Sequence, residues 1–170
     1  FTYTDLNSTA LQALKTILEN KLLERLREQE SGVYSPSISI SLSRIPKPYY
    51  SLSVTFSCAS SRVENLIAAT QDELMKIQEK GVSIEDLNKF KAQENRQHEL
   101  NLRDNGFWLN YIKRSYTYNT SLNRVNNFEK NLNSLDLKIL NKKAKTFLNP
   151  ENSAVLILFP ESENLSGVSN

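Results

Sequence analysis

Apolar side chains recur at three- and four-residue intervals near the start of the chain: Leu6, Ala10, Leu11, Ala13, Leu14, Ile17, Leu18, Leu22 and Leu26. That interval lines them up as one stripe of an amphipathic helix, with Asp5 as its expected N-cap and Gly32 as its stop. The period then drops to two. From 34 to 45, Ser35, Ser37, Ser39 and Ser41 fall on one face and Tyr34, Ile38, Ile40 and Leu42 on the other. After Pro46-Lys47-Pro48, the residues Tyr50, Leu52, Val54, Phe56 and Cys58 alternate with Ser51, Ser53, Thr55 and Ser57. Two alternating runs joined by a proline turn predict an antiparallel hairpin with one covered face.

From Ser60 the period is helical again, with Val63, Leu66, Ile67, Leu74 and Ile77 as the stripe and Gly81 as the stop. Ser83-Ile84-Glu85-Asp86 has the form of a capping box, with Asp in place of the usual Glu or Gln, and opens a third helix that runs to about Leu102. Asp104-Asn105-Gly106 interrupts it before Phe107, Trp108, Leu109, Tyr111 and Ile112 resume the pattern. A short helix from 124 to 132 follows, then another after Ser134 carrying Leu137, Leu140, Ala144 and Phe147, closed by Pro150. The unbroken apolar run from 153 to 159 predicts a strand in the middle of the sheet.

This order of elements predicts an α+β fold, an antiparallel sheet with helices packed on one face. A helix-first start leaves the sheet short of strands, and the abrupt opening Phe1-Thr2-Tyr3-Thr4 suggests an excised piece. One or two N-terminal strands preceding Phe1 are therefore expected to belong to the intact domain. Residues 1–161 are read as a single domain and 162–170 as a flexible tail.

Composition narrows the function classes. A chain of 170 residues fits one domain that buries roughly 70% of its unfolded surface, without needing a disulfide or a metal. The balance of 21 Lys and Arg against 19 Asp and Glu argues against a dedicated nucleic-acid binder. The serine-rich outer face of the hairpin also lacks the stacking aromatics of a nucleic-acid-binding sheet. Cys58 is the only cysteine, so no internal disulfide can form. No apolar run approaches the ~20 residues of a membrane helix.

Catalytic motifs are sparse. His98 is the sole histidine, so His98-Glu99 has no second imidazole one helical turn away with which to hold zinc, and Cys58 cannot complete a ligand set. There is no nucleophile elbow, and four glycines form no phosphate-binding loop. Trp108 reads as helix packing rather than a substrate platform; Tyr116 and Tyr118, after Lys113 and Arg114, could line a cavity or contact nucleic acid, with an ordinary helix end the favoured reading.

What remains is the junction Leu23-Glu24-Arg25-Leu26-Arg27-Glu28-Gln29-Glu30-Ser31-Gly32-Val33-Tyr34. On a regular helix Arg25 and Arg27 diverge by roughly 200°, so at most one of them faces a given site. The turn at Gly32 could return Tyr34 to the side of Arg27. A guanidinium and a phenol held together form a donor pair for a peptide carbonyl or an oxyanion. The same residues also suit purely structural roles, since arginine is favoured at a helix C-terminus and tyrosine in a strand.

Several segments, taken in order and spacing, resemble the C-terminal, non-zinc domain of pitrilysin/insulinase-type zinc peptidases, the inverzincin family. They are Leu26-Arg27-Glu28, Gly32-Val33-Tyr34-Ser35-Pro36, the hairpin ending at Cys58, the helix from 60 to 80, Gly81-Val82-Ser83-Ile84-Glu85-Asp86-Leu87, Asn105-Gly106-Phe107-Trp108-Leu109 and the run before Pro160-Glu161. The resemblance covers about residues 5–161 and implies the mitochondrial-processing-peptidase-like metallohydrolase fold. In that family a zinc-bearing domain with a His-x-x-Glu-His motif faces a related metal-free domain across a chamber. The metal-free domain supplies an Arg and a Tyr seven residues apart, and Arg27 and Tyr34 match that pair.

The resemblance implies that Tyr34 stabilises the tetrahedral oxyanion or holds the scissile carbonyl, while Arg27 orients the substrate main chain. It implies no metal on this chain, zinc in the partner domain and no cleavage by this piece alone. The expected partners are a zinc-bearing N-terminal peptidase domain, in the same chain or a partner subunit, and a peptide substrate, with a homo-oligomer left open. The alternative is a catalytically silent scaffold of the same fold, as in core subunits of respiratory complexes. A bacterial periplasm or cell-envelope address follows from the family and the asparagine-rich composition.

Overall fold

Thr4, in extended backbone, accepts the backbone N–H of Asn7 through its hydroxyl at 3.1 Å and caps α1 (Asp5–Leu22). The cap is thus one residue earlier than expected, and Asp5 instead places its charge in the first turn, where the helix dipole favours it. The structure, a computed structural model, describes residues 1–33 and 35–160; the expected tail lies outside the described residues. The apolar stripe of α1 is fully covered, with Leu11, Leu14, Leu18 and Leu22 all at 0% exposure.

The hairpin forms as its alternation predicts. Strands β1 (Ser37–Ser43) and β2 (Tyr49–Thr55) pair antiparallel with Ile38 opposite Val54, Ile40 opposite Leu52 and Leu42 opposite Tyr50. These pairs lie on the face packed against the core, while Ser39, Ser41, Ser51 and Ser53 are exposed. Both strands are shorter than predicted, because Phe56 and Cys58 leave the ladder yet still pack on the core.

Five further helices complete the element order: α2 (Val63–Lys80), α3 (Ile84–Asn101), α4 (Asn105–Thr117), α5 (Phe128–Asn133) and α6 (Leu137–Phe147). Helix α1 touches β1 on one side and α2, α3, α5 and α6 on others. The helices therefore lie on one face of the sheet, with α1 directly against it. The segment predicted as a single helix from 124 divides into a 3-10 turn (Leu122–Asn127) and α5.

The run from 153 to 159 is not a strand: among the described residues the sheet has two strands, and β1 and β2 pair only with each other. A strand needs a neighbour to take up its backbone N–H and C=O groups, and apolar sequence cannot substitute for one. Exposure nevertheless alternates along the segment, at 51% for Val155, 95% for Leu156, 48% for Ile157, 98% for Leu158 and 39% for Phe159. That is the period of extended chain with one face turned inward.

Two polar anchors fix the turn between α2 and α3. Gly81 has φ +80°, and the Asn141 side chain of α6 sits where a Cβ at this position would fall, 2.5 Å from Asn141 Cγ. Asn141 Oδ1 in turn accepts the N–H of the buried Val82 at 2.8 Å. Asn141→Ala leaves that donor without its partner and should destabilise the fold by about 1–3 kcal/mol, measured by urea denaturation.

The second anchor is the capping box. Ser83 Oγ accepts the Asp86 N–H at 3.0 Å, Asp86 Oδ2 accepts the Ser83 N–H at 3.2 Å, and Lys21 of α1 pairs with the same oxygen at 3.2 Å. Burial pushes the Asp86 carboxyl up, but the Ser83 hydroxyl and N–H and the Lys21 ammonium outweigh it and hold its pKa below the ordinary value. A depressed carboxyl contributes stability that is present above its unfolded pKa and lost as pH falls through the folded one. Unfolding free energy should therefore decline below about pH 4, and Asp86→Asn should flatten part of that decline in denaturant titrations run at several pH values.

Candidate functional site

Helix α1 does not stop at Leu22. It continues as a π-helical segment (Leu23–Gln29) that keeps Leu26 at 0% exposure. Short π segments accommodate an extra residue within a helix and occur often at functional sites. The segment closes through wide-turn backbone bonds, from the Glu30 N–H to the Arg25 carbonyl five residues back at 3.1 Å and from the Gly32 N–H to the Leu26 carbonyl six residues back at 3.2 Å.

The stop itself is made by Ser31, which has φ +49°, and not by Gly32 as predicted. Gly32 is required for space. A Cβ there would lie 2.8 Å from Leu66 Cδ2, and Leu66 is fully buried in α2. The chain passes so close to α2 that no side chain fits between them.

A charged network ties this turn to the start of α2. Arg62 donates through Nη2 to the Glu30 carbonyl at 2.7 Å and lies 3.5 Å from Glu30 Oε2. Arg25 reaches Glu30 Oε1 at 3.2 Å and donates to Gln29 Oε1 at 2.9 Å. Half-exposed ion pairs of this kind contribute under about 1 kcal/mol each, so their main effect is to hold the turn in one conformation.

The two arginines of the segment are therefore separated, as the helical arithmetic predicts. Arg25 is half-buried against Glu30, whereas Arg27 is exposed in the last turn of the π segment. Tyr34, the other expected site residue, lies outside the described residues. On either side of it, Val33 and Pro36 are buried, so the chain is anchored before and after this position.

The remaining candidates take structural roles. The His98 ring stacks on Phe128 with centroids 3.8 Å apart, and burial lowers its pKa. Trp108 Nε1 donates to the Leu102 carbonyl at 3.0 Å, closing the end of α3. Cys58 is a free, half-buried thiol beside the core. Among the described residues no group of three or more His, Cys, Asp or Glu side chains is arranged to hold a metal ion.

Sequence spacing missed a second constellation at the opposite end of α1. Tyr3, Arg44, Arg114 and Tyr118 line a cleft of ≈ 520 Å³, with the Arg44 guanidinium 3.8 Å above the Tyr3 ring and 4.6 Å from that of Tyr118. These residues come from three separate parts of the chain: the N-terminus, the end of β1, and the end of α4, where Arg114 and Tyr118 lie one helical turn apart.

Residues 2–94 match the family described as "Peptidase M16 inactive domain", more than half of the chain. The chain belongs to this family of zinc peptidases, in its inactive C-terminal domain. It is 32% identical over 108 residues to "Zinc protease PQQL-like" of Arabidopsis thaliana, covering 61% of this chain and 11% of that protein. It is 26% identical over 153 residues to "Probable zinc protease PqqL" of Escherichia coli, covering 89% and 16%. The crystal structure of the periplasmic protease PqqL from Escherichia coli superposes with a TM-score of 0.73 at 25% identity, over 84% of this chain and 16% of that one. The chain thus spans between 11% and 16% of the length of these relatives.

The close approach at the turn is directly testable. Gly32→Ala should destabilise the domain by about 1–3 kcal/mol through overpacking, and by clearly less in a Leu66→Ala background, as a double-mutant cycle would measure. Ser31→Gly relieves the left-handed residue and should be neutral or stabilising by up to about 1 kcal/mol.

Proposed function

We propose that this chain is the metal-free half of a zinc peptidase, closing the peptide-binding chamber over substrate held at the zinc of a partner domain. In this reading Tyr34 donates to the oxyanion formed at the scissile carbonyl, and Arg27 orients the neighbouring main chain. One observation carries the proposal: the family match over residues 2–94 runs through both Arg27 and Tyr34. The bracing of the turn by Glu30, Arg25 and Arg62 supports it, because a donor that must meet an oxyanion has to be held before the reaction begins.

The zinc belongs to the partner, in the same chain or another subunit, and would polarise the carbonyl and activate water there. Residues 1–161 act as one domain in this reading. A bacterial periplasmic or envelope address is part of it, supported by the periplasmic PqqL relative. Among the described residues no helix is long and apolar enough to cross a membrane.

The test is made in the longer protein that carries both domains. Tyr34→Phe should lower turnover of a peptide substrate by roughly 10²–10³ while zinc content and folding are kept. Arg27→Ala should act mainly through a raised KM, as expected for a group that binds main chain in ground and transition states alike. Unchanged turnover in Tyr34→Phe would reject the role and leave a structural scaffold as the better account.

A further inference from the structure

An open cleft lies at the N-terminal end of α1. Its volume of ≈ 520 Å³ falls within the range of ligand pockets. Its walls come from the first residues of the chain, the end of β1, α3, α4 and the 3-10 turn before α5.

Three guanidinium groups line it: Arg44, Arg114 and Arg124. Arg124 is paired with Asp5, whereas among the described residues neither Arg44 nor Arg114 forms an ion pair. Arg44 is held by two rings, Tyr3 and Tyr118, and its Nε is shielded from water without a hydrogen-bond partner. The other carboxylate on the wall is Glu94, whose pKa burial raises. At Tyr3, burial pushes the phenol up, but the Arg44 and Ser8 side chains and the charges of Arg44 and Arg114 outweigh it and lower its pKa. The positive charge of both arginines is thus felt at Tyr3.

We propose that this cleft binds an acidic segment of a polypeptide, with Arg44 and Arg114 taking its carboxylates. Planar guanidinium groups match carboxylates in paired hydrogen bonds, and an arginine already stacked on tyrosine has lost part of its side-chain freedom before binding. The choice of a peptide over a bare anion rests on the rest of the lining. Gln97, Asn101 and Asn110 line the same cleft; Gln97 Nε2 donates to Asn101 Oδ1 at 2.9 Å, which leaves the Gln97 carbonyl, the Asn101 amide N–H groups and the Asn110 amide to accept from and donate to a peptide main chain. The proposal goes beyond the Arg27 and Tyr34 reading and needs neither zinc nor turnover.

The test uses the 170-residue chain and a fluorescein-labelled peptide of alternating glutamate and alanine, followed by anisotropy at low salt, with the glutamine version as control. The glutamate peptide should bind, and the glutamine peptide should bind at least about tenfold more weakly. Arg114 is exposed, so Arg114→Gln should leave the fold intact by circular dichroism and weaken binding about tenfold. Lys113→Gln, on the adjacent exposed position outside the cleft, should change nothing. Arg44→Gln supplies a second reading wherever its circular dichroism is unchanged. Absence of binding, equal binding of the two peptides, or equal effects of Arg114→Gln and Lys113→Gln would overturn the proposal. So would inorganic phosphate competing as effectively as the peptide, which would assign the arginines to a phosphate group.

Discussion

The burial of α1 is the constraint on which the rest of the molecule depends. Leu11, Leu14, Leu18 and Leu22 are removed from water completely, each contributing roughly 1.5–3 kcal/mol relative to an exposed position. A helix so covered cannot be displaced without uncovering the hairpin on one side and α2, α3 and α6 on the others. Everything attached to its ends inherits that rigidity. The π segment and its arginines leave one end, and Tyr3, Asp5 and Ser8 bring the other end to the cleft. Both candidate sites are thus positioned by the same buried rod.

The end that carries Arg27 shows how packing overrules a regular helix. Leu26 must stay inside, four residues after Leu22, while the chain has to leave the helix and pass against Leu66 within a few residues. The π segment and the left-handed Ser31 satisfy both demands. The cost is a strained serine and a widened turn, offset by the Glu30, Arg25 and Arg62 contacts and by the approach that Gly32 permits. Strain retained at one exposed arginine-bearing turn is what a site requiring a fixed donor would be expected to keep.

How much of this was legible in the sequence follows from which interactions are local. The hairpin was, because one face of each strand is covered and the other exposed, so the alternation of serine with Ile, Leu and Val carries the register. The Ser83 to Asp86 capping box was, because both partners lie within four residues. The cap at Thr4 was misplaced by one residue, since Thr4 and Asp5 both carry suitable acceptors and only backbone conformation decides between them. The stop at Ser31 was hidden by the glycine beside it. The run from 153 to 159 was read as a strand on apolar content alone, and the pairing a strand needs is not found among the described residues. Arg27 and Tyr34 were a weak signal by spacing and rested on resemblance, whereas of the cleft only Tyr118, one turn after Arg114, was legible as candidate cavity lining, and Tyr3 and Arg44 are brought to it by the fold alone.

The chemistry this chain can bring to a reaction is set by what it lacks as well as by what it has. Among the described residues it offers no metal-ligating cluster, and its one imidazole is stacked on Phe128. The groups assigned to the reaction on this chain are a guanidinium and a phenol, which act as hydrogen-bond donors. On the proposed reading, then, acid and base steps belong to the zinc-bearing partner, and this half acts by placing fixed donors. Its influence on the reaction should be nearly independent of pH across the range in which the partner titrates. Any pH dependence originating here enters through groups that hold the fold, the Asp86 carboxyl and the His98 imidazole stacked on Phe128, and so would appear as a change in stability before it appeared as a change in rate.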